Sequence, residues 1–143
     1  MCIRDRTEAL TRLGHRHRVL GLPGSDADEQ QLEADLRAAV EEEPALRILH
    51  VAGLDSDSTA RATMQSLLRV QHRVLSGTQR LFRAAAAAEL RAPIWVITRG
   101  AQRVTGTDAV APEQTGLWGF GRSAALEYPQ AVSYTHLTLP TTF

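Results

Sequence analysis

Two adjoining stretches decide the fold: Ala92-Pro-Ile-Trp-Val-Ile-Thr-Arg-Gly-Ala101 and, after a polar loop, Pro112-Glu-Gln-Thr-Gly-Leu-Trp-Gly-Phe-Gly-Arg-Ser-Ala-Ala-Leu-Glu-Tyr-Pro129. Ile94 to Thr98 is apolar on both faces, the pattern of a central parallel strand covered on both sides. Pro112 suits the first position of a helix, and Glu113 sits beside its positive end. Leu117, Phe120, Ala124 and Leu126 supply an approximate packing face. Gly116, Gly119 and Gly121 are expected to let backbones approach closely. The pair reads as strand, loop and small-residue helix, one repeat unit of a nucleotide-type fold.

Working backwards, the same unit recurs. Leu46-Arg-Ile-Leu-His-Val-Ala52 is a short apolar strand, and Gly53 to Asp57 makes a loop. Asp57 or Ser58 then caps a long helix with an apolar stripe of Met64, Leu67, Leu68, Val74, Leu75, Leu81 and Phe82. Ser76-Gly77 is its expected kink, because glycine weakens a helix interior. Upstream, His17-Arg-Val-Leu-Gly21 is an expected first strand, and Gly21-Leu-Pro-Gly-Ser25 a turn. Ser25 or Asp26 caps a helix whose Leu32, Leu36, Ala39 and Val40 share one face. That helix ends near Glu43, before Pro44. A short helix is expected around Glu8–Leu13. Alternating strand and helix predicts a truncated Rossmann-like, three-layer α/β fold with a small, mostly parallel sheet of three or four strands.

Composition removes several chemistries. The chain has no lysine; all sixteen basic residues are arginine, balanced by sixteen acids. A Walker phosphate loop, a Schiff base and the Tyr-x-x-x-Lys pair of short-chain reductases are therefore excluded. Four residues beyond Tyr128 lies Val132, and beyond Tyr134 lies Thr138. The even charge balance disfavours nucleic acid as a partner. No apolar run approaches the ~20 residues of a membrane span, and no signal peptide is visible. The one cysteine, Cys2, forms no internal disulfide, so a cytoplasmic location is the default expectation. The ends lack the Ala/Arg/Glu bias of the middle. Residues 1–6 and 132–143 are similar to translated adapter sequence and are expected to be non-native, leaving 7–131 as the domain; the alternative is a frayed start and an edge strand at Tyr134–Leu139.

Candidate sites are sparse. The first turn, Gly21-Leu-Pro-Gly24, lacks the G-x-G-x-x-G spacing, and Pro23 removes one amide donor. Asp55 lies where a ribose hydroxyl is held in a dinucleotide site. Gly116, Gly119 and Gly121 fall inside a helix pattern, which points to packing. His15 and His17 have no third ligand beside them. His50, in an apolar strand, reads as a satisfied core or edge histidine. Asp26/Asp28 and Asp55/Asp57 read as caps and solvated loops. Gly121-Arg-Ser123 lacks the second glycine of a nucleophile elbow. Arg99 and Arg103 flank a strand exit, suited to an anion or to a salt bridge with a neighbouring domain. No catalytic, cofactor-binding or metal residue is assigned.

Leu46–Asp55, Ala92–Ala101 and Leu117–Pro129 together resemble the structural subdomain of the ketoreductase in modular type I polyketide synthases; fatty acid synthase subdomains are near neighbours. The resemblance covers residues about 15–131. It implies a noncatalytic half-fold that binds no cofactor itself. It also implies a missing catalytic half that holds NADPH and reduces the β-keto group of an intermediate on acyl carrier protein. The expected partners are that catalytic subdomain and neighbouring synthase domains. The rival readings are a free-standing, small nucleotide-dependent oxidoreductase or transferase, and a module for small acidic ligands at Arg99 and Arg103.

Overall fold

The computed structural model describes residues 3–55, 63–103 and 110–129. In chain order its elements are α1 (Ile3–Arg12), α2 (Asp26–Glu42), β1 (Ile48–His50), a 3-10 turn (Ala52–Asp55), α3 (Met64–Ala87), β2 (Ile94–Val96) and α4 (Pro112–Glu127). Strands β1 and β2 pair in parallel, Ile48 opposite Ile94, Leu49 opposite Trp95 and His50 opposite Val96. With α3 as the crossover, this is the βαβ unit of a Rossmann-type fold.

Local chemistry accounts for most of the boundaries. Ser25 is the N-cap of α2, its side chain accepting from the Asp28 amide while Asp28 reaches back to the cap backbone. This reciprocal box satisfies donors that the helix itself leaves open. At the other end the Glu43 amide donates to Ala39, one residue before Pro44. Helix α3 ends without help from proline. The Leu90 amide donates to the Ala85 carbonyl, and Glu89 takes a left-handed φ of 53°. That is a Schellman-type stop made with a residue other than glycine. The Arg37 guanidinium donates to the Ala87 carbonyl at 2.7 Å, placing a cation at the negative end of α3.

The core lies between the strands and α2, α3 and α4. Phe82, Ile94 and Leu117 are fully buried, with Leu32, Leu36, Val74, Leu81 and Val96 around them. Phe82 makes an edge contact with Phe120 at 5.8 Å and a tilted one with Tyr128 at 6.2 Å. Ion pairs rim the α2–α3 contact: Glu29 accepts from Arg80 at 3.1 Å and from Arg83 at 2.9 Å, and Arg80 also pairs with Asp26. That last pair holds the Asp26 carboxyl below its ordinary range.

Five expectations need correction. His17–Leu20 joins no sheet among the described residues; the sheet has two strands, not three or four. Its Arg18 turns instead to Asp35 of α2 at 3.6 Å, the preceding Arg16 turns to Glu43 just past the end of α2 at 3.1 Å, and only Val19 and Leu20 remain as apolar residues. Gly77 does not break α3, which runs unbroken for 24 residues, about 36 Å. Glycine is needed there because a β-carbon would lie 2.9 Å from Leu22 Cβ, in the turn before α2. Leu126 is 85% exposed. It lies nine residues beyond Leu117, which turns it about 180° away from the core. Finally, Gly116 does sit close to Gln71 of α3, but a β-carbon on Gly119 would meet nothing. The expected stripe of α3 is also buried only in part: Met64 and Leu68 are exposed at the overhanging first turns. The expected Asp57 or Ser58 cap and the Tyr134–Leu139 strand lie outside the described residues.

Candidate functional site

In an open α/β sheet, ligands bind in the crevice beyond the C-terminal strand ends, with phosphate at a helix N-terminus. Two places among the described residues compare with that geometry. One is the turn into α2, a helix N-terminus with no strand before it among the described residues. The other is the space past β1 and β2 beside the start of α4.

At the turn into α2, the Asp28 carboxylate accepts from the Gly24 amide at 3.1 Å and from the Ser25 amide at 3.0 Å. The Asp28 amide donates to the Ser25 hydroxyl at 3.2 Å. Pro23 has no amide hydrogen to offer. The donors that would face a pyrophosphate are engaged by a carboxylate of this chain. The Ser25 hydroxyl, and next the Gly24 amide, hold that carboxyl below its ordinary range, so it stays charged. A shallow depression beside it is lined by Leu20, Pro23, Gln31 and Asp35. It presents two acids and no base, and a phosphate would be repelled there.

Past the strands, α4 closes the crevice. Gln114, 3% exposed, donates through Nε2 to the Gly53 carbonyl and accepts at Oε1 from the Arg99 amide at 3.5 Å. The Thr115 hydroxyl donates to the Ala101 carbonyl at 3.0 Å, and the Ala111 amide to Gly100 at 2.8 Å. A β-carbon on Gly53 would lie 2.9 Å from both Gln114 Oε1 and Leu117 Cδ2. Glycine at 53 is thus a close-approach position. Arg99 and Arg103 flank this place with exposed side chains, as the sequence suggests.

His50 is buried at the end of β1. The Thr78 hydroxyl donates to the Val74 carbonyl at 2.6 Å, so it accepts from His50 Nε2 at 2.9 Å. This fixes the neutral Nε2-protonated tautomer. Among the described residues Nδ1 has no partner, so the histidine is only half satisfied there, short of the full satisfaction expected for it. Burial pushes its pKa down to about 4. His15 and His17 are exposed, and no cluster of three metal-ligating side chains occurs among the described residues.

Gln114 and Thr78 do not stand out in the sequence. A glutamine in the first turn of a proline-started helix reads as a surface residue. Thr78 is a helix-interior threonine whose partner is 28 residues away. The sequence signal for Asp28 is the Ser25-x-x-Asp28 spacing of a capping box, which the expectation of Asp26 and Asp28 as caps and solvated loops does not draw on.

Residues 5–137 match the family model described as polyketide synthase extender module SpnB, Rossmann fold domain. Erythronolide synthase EryA3 of Saccharopolyspora erythraea is 32% identical over 109 residues, 76% of this chain and 3% of that protein. Polyketide synthase GfsA of Streptomyces halstedii is 42% identical over 57 residues, 39% of this chain and 1% of that protein. A C2-type ketoreductase from a modular polyketide synthase superposes with a TM-score of 0.69 at 27% identity, over 94% of this chain and 30% of that one. An A-type ketoreductase gives 0.67 at 27% identity, over 92% and 27%. This chain therefore spans about a third or less of the ketoreductases it matches, and a few per cent of the curated synthases. The half-fold, its parallel pair of strands and these matches place the chain in the family of ketoreductase-like Rossmann domains of modular polyketide synthases.

Proposed function

We propose that this chain is the noncatalytic scaffold half of a polyketide synthase ketoreductase. The observation that carries the proposal is the turn into α2, where the Asp28 carboxylate holds the amides that a dinucleotide phosphate would need. With no lysine in the chain, the proton donor pair of a reductase is also missing. The catalytic half then supplies NADPH binding and the reduction of a β-keto group carried on acyl carrier protein, in a cytoplasmic multidomain synthase.

The role of this half is packing. Leu49 on β1, Met64 and Leu68 on α3 and Leu126 on α4 are large apolar side chains left in water. Contiguous apolar surface marks a docking face, and we propose that these side chains contribute to one. We assign it to the catalytic subdomain, with further synthase domains beyond. No helix among the described residues is long and apolar enough to cross a membrane.

A chimera tests the proposal. This chain replaces the corresponding segment of a modular ketoreductase, and NADPH-dependent reduction of a keto thioester is followed. Turnover within about tenfold of the parent, about 1.4 kcal/mol in barrier, is expected. Leu68→Asp with Leu126→Asp is expected to lower it further by disturbing the docking face. A chimera that is monodisperse and binds NADPH yet turns over nothing contradicts the scaffold role.

A further inference from the structure

Gln114 does more than fill space. It sits in the first turn of α4, which has no side-chain cap of its own; Ala111 occupies that position. Its side chain turns away from the helix end and across the crevice. One end of the carboxamide meets Gly53, three residues past β1, and the other meets Arg99, three residues past β2. A single side chain thus bridges the loops that follow both strands. The site is close-fitting: Gln114 is 97% covered, and a β-carbon at 53 would lie 2.9 Å from its Oε1, so a larger residue there would push the carboxamide aside. A planar group with an acceptor and a donor at opposite ends fits this place; a hydrocarbon of equal length fills the volume but joins nothing.

We propose that Gln114 is a positioning residue, an internal clasp whose carboxamide sets the spacing of the two strand-end loops and fills the crevice a ligand would otherwise enter. In effect the chain carries its own ligand at that crevice. The loop bearing Arg99 and Arg103 is thereby held at a fixed place relative to the loop after β1. The clasp acts within this chain and needs neither cofactor nor partner, so its failure leaves the scaffold proposal standing, and NADPH binding at the α2 turn would leave the clasp standing.

Amide hydrogen exchange on the 143-residue chain tests it. The amides compared are Arg99, which donates to Gln114, and Ile97, which donates at 3.0 Å to the His50 carbonyl in the strand pair. Gln114→Met keeps the length and removes both bonds. Exchange at Arg99 is expected to rise about tenfold or more, while Ile97 changes by much less, because one hydrogen bond is lost locally. Gln114→Ala is expected to behave the same way and to recover Arg99 protection when propionamide is added. Unchanged protection at Arg99 in Gln114→Met overturns the proposal. So does an equal acceleration at Arg99 and Ile97, which would make Gln114 a packing residue of the whole fold. Failure of propionamide to act on Gln114→Ala, with the fold intact, overturns the carboxamide-specific part.

Discussion

Replacing Phe82 by alanine is expected to cost about 3–5 kcal/mol, the range for removing a buried aromatic from a core. Its side chain is fully buried and touches both rings that α4 brings, Phe120 and Tyr128. Those three rings help fasten α3 to α4, and Phe82 is the one fully buried aromatic among the described core residues. A domain of this size has only several kcal/mol in hand. Phe82→Ala should therefore leave little folded chain at 25 °C, seen as loss of near-ultraviolet circular dichroism and an early urea midpoint. Phe82→Leu, which keeps most of the volume, should cost less than half as much. Equal midpoints for Phe82→Ala and the unmodified chain would move the core elsewhere.

The second large effect is acid sensitivity through His50. Burial lowers its folded pKa to about 4, and its ordinary value is 6.5. In the unfolded chain the ring takes up a proton near pH 6.5; in the folded chain it does so only near pH 4. The unfolded state binds more protons across that window, so stability is full above pH 6.5 and falls as pH drops towards 4. A separation of this size corresponds to about 3 kcal/mol. The geometry gives the reason. Nε2 already donates to Thr78, and a proton added at Nδ1 finds only the backbone of His50 itself, which offsets little of the cost. Desolvation is the chief cause of the shift. His50→Leu leaves the Thr78 hydroxyl bonded to Val74 and is expected to abolish this part of the pH dependence. The check is urea unfolding at pH 7, 6, 5 and 4.5 for both chains. Parallel losses in the two would show that His50 is not the group responsible.

The sequence is legible where one local signal decides. The serine cap and its Ser-x-x-Asp box start α2, and Pro112 starts α4. The apolar run Ile94-Trp-Val yields β2. It misleads where the deciding partner is distant. Gly77 looks like a breaker until Leu22, 55 residues earlier, is seen against it. His17–Leu20 has strand-like residues, yet its Arg18 finds Asp35 on α2. Leu126 belongs to a loose pattern that a count of helical turns would have rejected. At the candidate site, the lack of a glycine fingerprint was plain. What fills the place was not: Asp28 and Gln114 gain their meaning from backbone groups that only the fold brings near.

The most direct test is a calorimetric titration of the 143-residue chain with NADPH at neutral pH and low salt. With Asp28 holding the amides of the α2 turn, no saturable binding is expected up to millimolar nucleotide, and Asp28→Ala alone should not create it, since Pro23 still lacks a donor. Saturable micromolar binding by the unmodified chain would contradict a half-fold that has given up its phosphate grip.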